Sequence, residues 1–214
     1  MEIHEFRQSY RSLNSPVNEK IVSPMIRALS IALATALLVM FTGCDSCRTP
    51  DPGDGPPRPY VSTSAPYSLE VPTTWTREPD GAINPDADFS ASFEDRLFFM
   101  VIPQALPTFP RPDVDALKRE ALQVLEQAVD DLTVERRGSI ELDGVSGRSV
   151  YALGTLGDQS VRYVTAYAVY DDFGFQIIAF SEAQHEELLL SEVDSLLSTW
   201  RFGTPQEATA PGTP

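Results

Sequence analysis

The sequence predicts an α+β domain, an αβα sandwich on a mainly antiparallel sheet. Three observations carry this reading. Strand-like segments outnumber helical ones, short turn-forming links join most of them into hairpins, and two amphipathic helices need a sheet to bury against. The order is strands, one long helix, a four-strand meander and a closing helix.

Taken in order, residues 67–71 (YSLEV) alternate as a short strand closed by Pro72, and residues 89–93 (FSASF) alternate again. Residues 96–102 (RLFFMVI) are apolar at nearly every position, which suits a central strand covered on both faces. From 113 to 132 the apolar residues Leu117, Ala121, Leu125, Ala128 or Val129, and Leu132 recur at helical spacing. Asp113 is placed to cap this helix. Strands follow at 133–142, 147–156, 161–170 and 175–181. Asp143-Gly144, Gly157-Asp158 and the stretch 171–174 (DDFG) supply hairpin turns between them. A last helix over 183–200 sets Leu189, Val193, Leu196 and Trp200 on one stripe.

The folded part spans 66–202. Residues 49–66 (TPDPGDGPPRPYVSTSAP) have little to bury and read as an extended linker, assigned to 44–65 and able to hold a domain some 50 Å from a bilayer at about 3 Å per residue. Residues 203–214 have the same character and are expected to be a disordered tail.

The chain has 214 residues, with 16 basic and 31 acidic side chains and a net charge of −15. That balance excludes a nucleic-acid partner, whose binders cluster Lys and Arg. Two cysteines, Cys44 and Cys47, supply neither a disulfide framework nor a zinc site.

Residues 28–43 (ALSIALATALLVMFTG) are sixteen uncharged positions, too few for a spanning helix of about 20 but suited to the apolar region of a signal peptide behind Arg27. The run ends Phe41-Thr42-Gly43-Cys44, which resembles the lipobox of bacterial lipoproteins with Phe41 where Leu is usual. The resemblance implies a signal peptide over 1–43, cleavage after Gly43, and a lipidated Cys44 that tethers the chain to the cell membrane, facing the periplasm or cell exterior. A thiolate is the nucleophile such lipid transfer needs. Residues 1–24 are polar and have no role in a signal peptide, so translation is expected to start at Met25. Asp45 resembles an inner-membrane retention signal, and Cys47 is expected to be an ordinary free or capped thiol.

Within the domain, Tyr67-Ser68-Leu69-Glu70-Val71-Pro72-Thr73-Thr74-Trp75 resembles the opening strand and Pro-x-x-Trp of PsbP/Mog1-like domains. Residues 140–147 (IELDGVSG) resemble their mid-domain hairpin, and 196–202 (LLSTWRF) their terminal helix and short final strand. The resemblance covers most of 66–202 and implies the αβα fold together with binding or assembly roles, with no shared catalytic site.

Candidate chemistry is sparse. The chain downstream of Cys44 holds one histidine, His185, beside Glu186 and Glu187, where a solvated helix position competes with a general base or half a metal site. No nucleophile elbow or phosphate-binding glycine loop occurs. Asp130-Asp131, Asp171-Asp172 and Asp86-Ala87-Asp88 fall short of a calcium loop and read as solvated acids. No cofactor and no metal are expected.

Among the aromatics, Tyr163 and Tyr167 share one strand face while Trp75 is placed in a loop. Most are expected in the core, and any exposed subset would form a binding patch, with Trp75, Tyr163 and Tyr167 the candidates. Arg136-Arg137 and Arg148 or Arg162 would flank it, or pair on the surface. The expectation is a non-catalytic, membrane-anchored module binding an envelope protein. A carrier or sensor of a small apolar ligand, and a hydrolase built on carboxylates, are the alternatives.

Overall fold

The computed structural model describes residues 55–108 and 112–203. The signal region, Gly43, Cys44, Asp45, Cys47 and the tail from 204 onward lie outside them.

Among the described residues, ten strands and two α-helices build the domain. The chain runs β1 (Arg58–Val61), β2 (Tyr67–Val71), β3 (Trp75–Arg77), β4 (Phe89–Phe93), β5 (Leu97–Ala105) and α1 (Val114–Ala128). It continues through the meander β6 (Asp130–Leu142), β7 (Val145–Leu156), β8 (Gln159–Tyr170) and β9 (Phe173–Glu182). A 3-10 turn (Ala183–His185), α2 (Glu186–Ser198) and β10 (Arg201–Phe202) close it. Seven strands form an antiparallel sheet in the order β3-β4-β5-β9-β8-β7-β6, and β1-β2-β10 make a small second sheet.

The periodicities explain the layers. On β8, Val161, Tyr163 and Tyr167 pack towards α1 with Leu117, Ala121, Leu122 and Leu125. Its even positions Val164, Ala166 and Ala168 pack on the opposite face, with Leu189, Val193 and Leu196 of α2 and Tyr67, Leu69 and Val71 of β2. The sandwich is therefore helix on one face, and helix plus small sheet on the other. β5 is buried at Leu97, Phe99, Met100, Val101 and Ile102, as its unbroken apolar run requires.

Local chemistry sets the boundaries. The Asp113 side chain accepts from the Ala116 N–H at 2.7 Å, capping α1. Asp143 and Gly144 both take positive φ (48° and 79°), the two-residue hairpin turn that Asp-Gly favours.

Several boundaries differ from the sequence reading; the closing helix, expected over 183–200, runs only Glu186–Ser198, and three others matter for the fold. α1 ends at Ala128, not 132: Val129 is extended, Asp130 pairs with Thr155, and Asp131 at φ 50° opens a bulge, so Leu132 belongs to β6. The β8–β9 turn is Asp171-Asp172 alone, with Phe173 and Gly174 already in β9. The expected linker also gives up 58–61, which form β1 against β2, Tyr60 opposite Leu69.

Candidate docking site

Where the chain enters the domain, β1, the end of β2, β3 and the start of β4 surround an open depression of about 110 Å³ lined by Arg58, Pro59, Tyr60, Val71, Arg77 and Phe89. Two guanidinium groups flank it, each fixed by a different device. Arg58 Nη2 donates to the Trp75 carbonyl at 3.0 Å. Arg77 stacks over the Tyr60 ring, 5.1 Å from its centroid, and pairs with the exposed Asp80 at 3.2 Å.

Tyr60 is held from behind. Its ring tilts against Phe89 at 4.6 Å, and its hydroxyl lies 2.9 Å from Asp88 Oδ2 and 2.8 Å from the Asp88 carbonyl oxygen. The same carboxylate accepts from the Tyr67 hydroxyl at 2.7 Å and from the Ser64 hydroxyl. Three hydroxyls from the β1–β2 hairpin thus converge on one half-buried acid just ahead of β4.

Burial pushes Asp88 up, but the hydroxyls of Ser64, Tyr67, Ser62 and Tyr60 outweigh it and hold the carboxyl below its ordinary value. Burial, then the bond to Asp88, pushes Tyr60 up to about 12, so it stays a donor across the physiological range. Tyr67 is raised further, by burial first and then by Tyr60 and Asp88. The network is a latch, and its product is a rigid aromatic ring between two cations. Such a surface suits a carboxylate paired with an apolar neighbour.

The residues singled out in the sequence stand elsewhere. Trp75 lies in β3 rather than a loop and is fully buried against Phe93 and Phe99, with its indole N–H donating to Glu192 Oε2 at 2.9 Å. Tyr163 and Tyr167 are buried beneath α1, on the other face of the sheet from Trp75. The three cannot share a surface patch, and Val61 is the large hydrophobic residue that stands well exposed among the described residues.

The arginines follow the ion-pairing alternative. Arg148 and Lys118 pair with Asp115, Arg162 bridges Glu135 and Glu186, and Arg136 stacks on Tyr151 at 3.7 Å. Lys118 first, then Arg148, holds Asp115 down to about 2. His185 is half-buried in the turn before α2. Asp130, Asp131, Asp171, Asp172 and Asp86 are exposed, whereas Asp88 is the centre of the latch and not the solvated acid expected.

Arg58, Tyr60 and Arg77 escaped the sequence reading. Arg58 and Tyr60 sit in a Pro-rich stretch that reads as linker, and Arg77 follows a strand of three residues.

Comparison with known structures supports the class. The PsbP of the cyanobacterium Synechocystis sp. PCC 6803 (CyanoP) matches with a TM-score of 0.54 at 12% identity, over 72% of this chain and 98% of that one. LpqN of Mycobacterium tuberculosis, described as involved in cell envelope biogenesis, matches with a TM-score of 0.54 at 11% identity, over 70% of this chain and 87% of that one. The fold is the PsbP/Mog1-like α+β fold. At these identities the likeness is one of fold alone. No protein-family model and no curated sequence matches the chain.

Proposed function

We propose that this protein is a membrane-anchored envelope lipoprotein whose PsbP/Mog1-like domain acts as a non-catalytic docking module for another envelope protein. The observation that carries the proposal is the depression at Arg58, Tyr60 and Arg77. Two fixed cations beside a rigid tyrosine, on a chain of net charge −15, make a local anchor of the kind that dominates protein interfaces. Its partner presents an acidic side chain or a chain terminus. At about 110 Å³ this depression is smaller than the roughly 300–1,000 Å³ of small-molecule pockets, so it suits a single anchoring side chain or chain terminus rather than a whole apolar ligand.

Anchoring rests on Phe41-Thr42-Gly43-Cys44 and the apolar run before it. Among the described residues no helix is long and apolar enough to cross a membrane. With β1 starting at Arg58, residues 45–57 would reach at most about 45 Å when fully extended, so the depression would lie within about that distance of a lipidated Cys44. LpqN, similar in fold, is described as involved in cell envelope biogenesis, which agrees with the setting.

The test is charge reversal. The double variant Arg58→Glu/Arg77→Glu in the full chain should lose its membrane partner in affinity purification while keeping the wild-type melting temperature. An unchanged partner profile would refute the docking role.

A further inference from the structure

We propose that β6 is a self-pairing edge: two copies of this chain join their seven-stranded sheets through antiparallel β6 strands, with a twofold axis at Ser139. β6 ends the sheet order, so one side of its backbone has no neighbour in the sheet. Its first half is bulged, with register shifts between Asp130 and Thr133 and between Val134 and Arg136. From Arg136 to Leu142 the pairing with β7 is regular, which leaves a straight outer edge of seven residues. Arg137, Gly138, Ser139 and Glu141 on that edge are exposed, and Ile140 is half-buried.

The sequence of this edge is complementary to itself in one register. A twofold axis normal to the sheet pairs residues of equal parity, because directly opposed side chains share a face. Centred on Ser139, it sets Arg137 opposite Glu141 of the second copy and the reverse, so one face gains two opposite-charge pairs. On the other face Ile140 lies opposite Gly138, which offers no side chain to collide with. Neighbouring registers do worse. A centre at Gly138 opposes Glu135 to Glu141, and a centre at Arg137 opposes that cation to itself. A centre at Ile140 opposes Arg137 to Asp143, beyond the end of the strand in the turn.

Arg136 takes no part, since it folds back over the Tyr151 ring. Charges and bulges on an edge ordinarily discourage pairing with arbitrary strands. Here the same features confine pairing to a matching copy. A strand pair this short buries little surface, so the dimer is weak.

The experiment uses the full chain in detergent with Cys44→Ser and Cys47→Ser, followed by sedimentation equilibrium across a concentration series. The wild-type edge should dimerise. Arg137→Glu should weaken the dimer by roughly tenfold, since both new contacts are like-charged. Arg137→Glu/Glu141→Arg should restore it. A chain that stays monomeric throughout, or a dimer indifferent to Arg137→Glu, overturns the proposal. Should the charge variants fail to fold, Ser139→Cys reads the same register. Mild oxidation should then give a disulfide-linked dimer that Arg137→Cys does not give. No such dimer, or an equal yield from both, overturns it as surely.

Discussion

A single carboxylate, Asp88, decides the shape of the docking site, because the hydroxyls of Tyr60, Tyr67 and Ser64 all donate to it. Asp88→Ala should therefore cost about 2 kcal/mol in urea unfolding, the scale of leaving a buried donor unpaired. It should also release Tyr60 and weaken docking. The sign of the pH effect follows from the same bonds. A carboxyl held below its ordinary value contributes stability that is complete above the unfolded value near 4 and is lost as pH falls through the folded one. Asp115, held down to about 2, adds to the same loss between about pH 4 and 2. Urea midpoints should accordingly fall with acid over that window, less steeply in Asp88→Asn. None of this was legible in the sequence. Tyr60 and Tyr67 lie 28 and 21 residues before Asp88, and no spacing rule joins them.

At the level of elements, the sequence read best where periodicity was long. The meander strands, the central turns of both helices and the Asp113 cap are where alternation and capping chemistry placed them, while both helices end earlier than their stripes suggested. Asp113→Ala should cost about 1 kcal/mol, measured by thermal melting. β1 and β3 stayed hidden because four and three residues are too short to show a period, and Pro59 interrupts the first. The α1–β6 junction misled for a different reason. Val129 and Leu132 fit the helical stripe, yet strand pairing at Asp130 outcompetes one more helical turn.

Two glycines of the β6–β7 hairpin make a contrasting pair. A Cβ on Gly147 would sit 2.4 Å from the Tyr167 carbonyl oxygen, a backbone atom that cannot rotate away. Gly144 has open space but a φ of +79°. Gly147→Ala should destabilise by about 3 kcal/mol or more by forcing β7 from β8, and Gly144→Ala by only about 1 kcal/mol. Equal losses on thermal melting would contradict the packing described.

Across the whole molecule, burial separates what the sequence could and could not say about function. Aromatic content marked Trp75, Tyr163 and Tyr167, and all three are core because large rings are worth most when buried. The surface that remains is defined by two arginines and a tyrosine brought together from β1 and β3. The proposed anchor predicts that wild-type protein extracted from membranes carries the mass of a triacylated cysteine, absent from Cys44→Ser.

Docking is tested most directly by contact. A photo-crosslinking residue at Pro59, in the wall of the depression, would be compared in living cells with one at the exposed Glu126 on α1. We expect one discrete protein adduct from position 59, absent from position 126 and abolished by Arg58→Glu/Arg77→Glu. No adduct from position 59, or the same adducts from both positions, would contradict a docking role for this end of the domain.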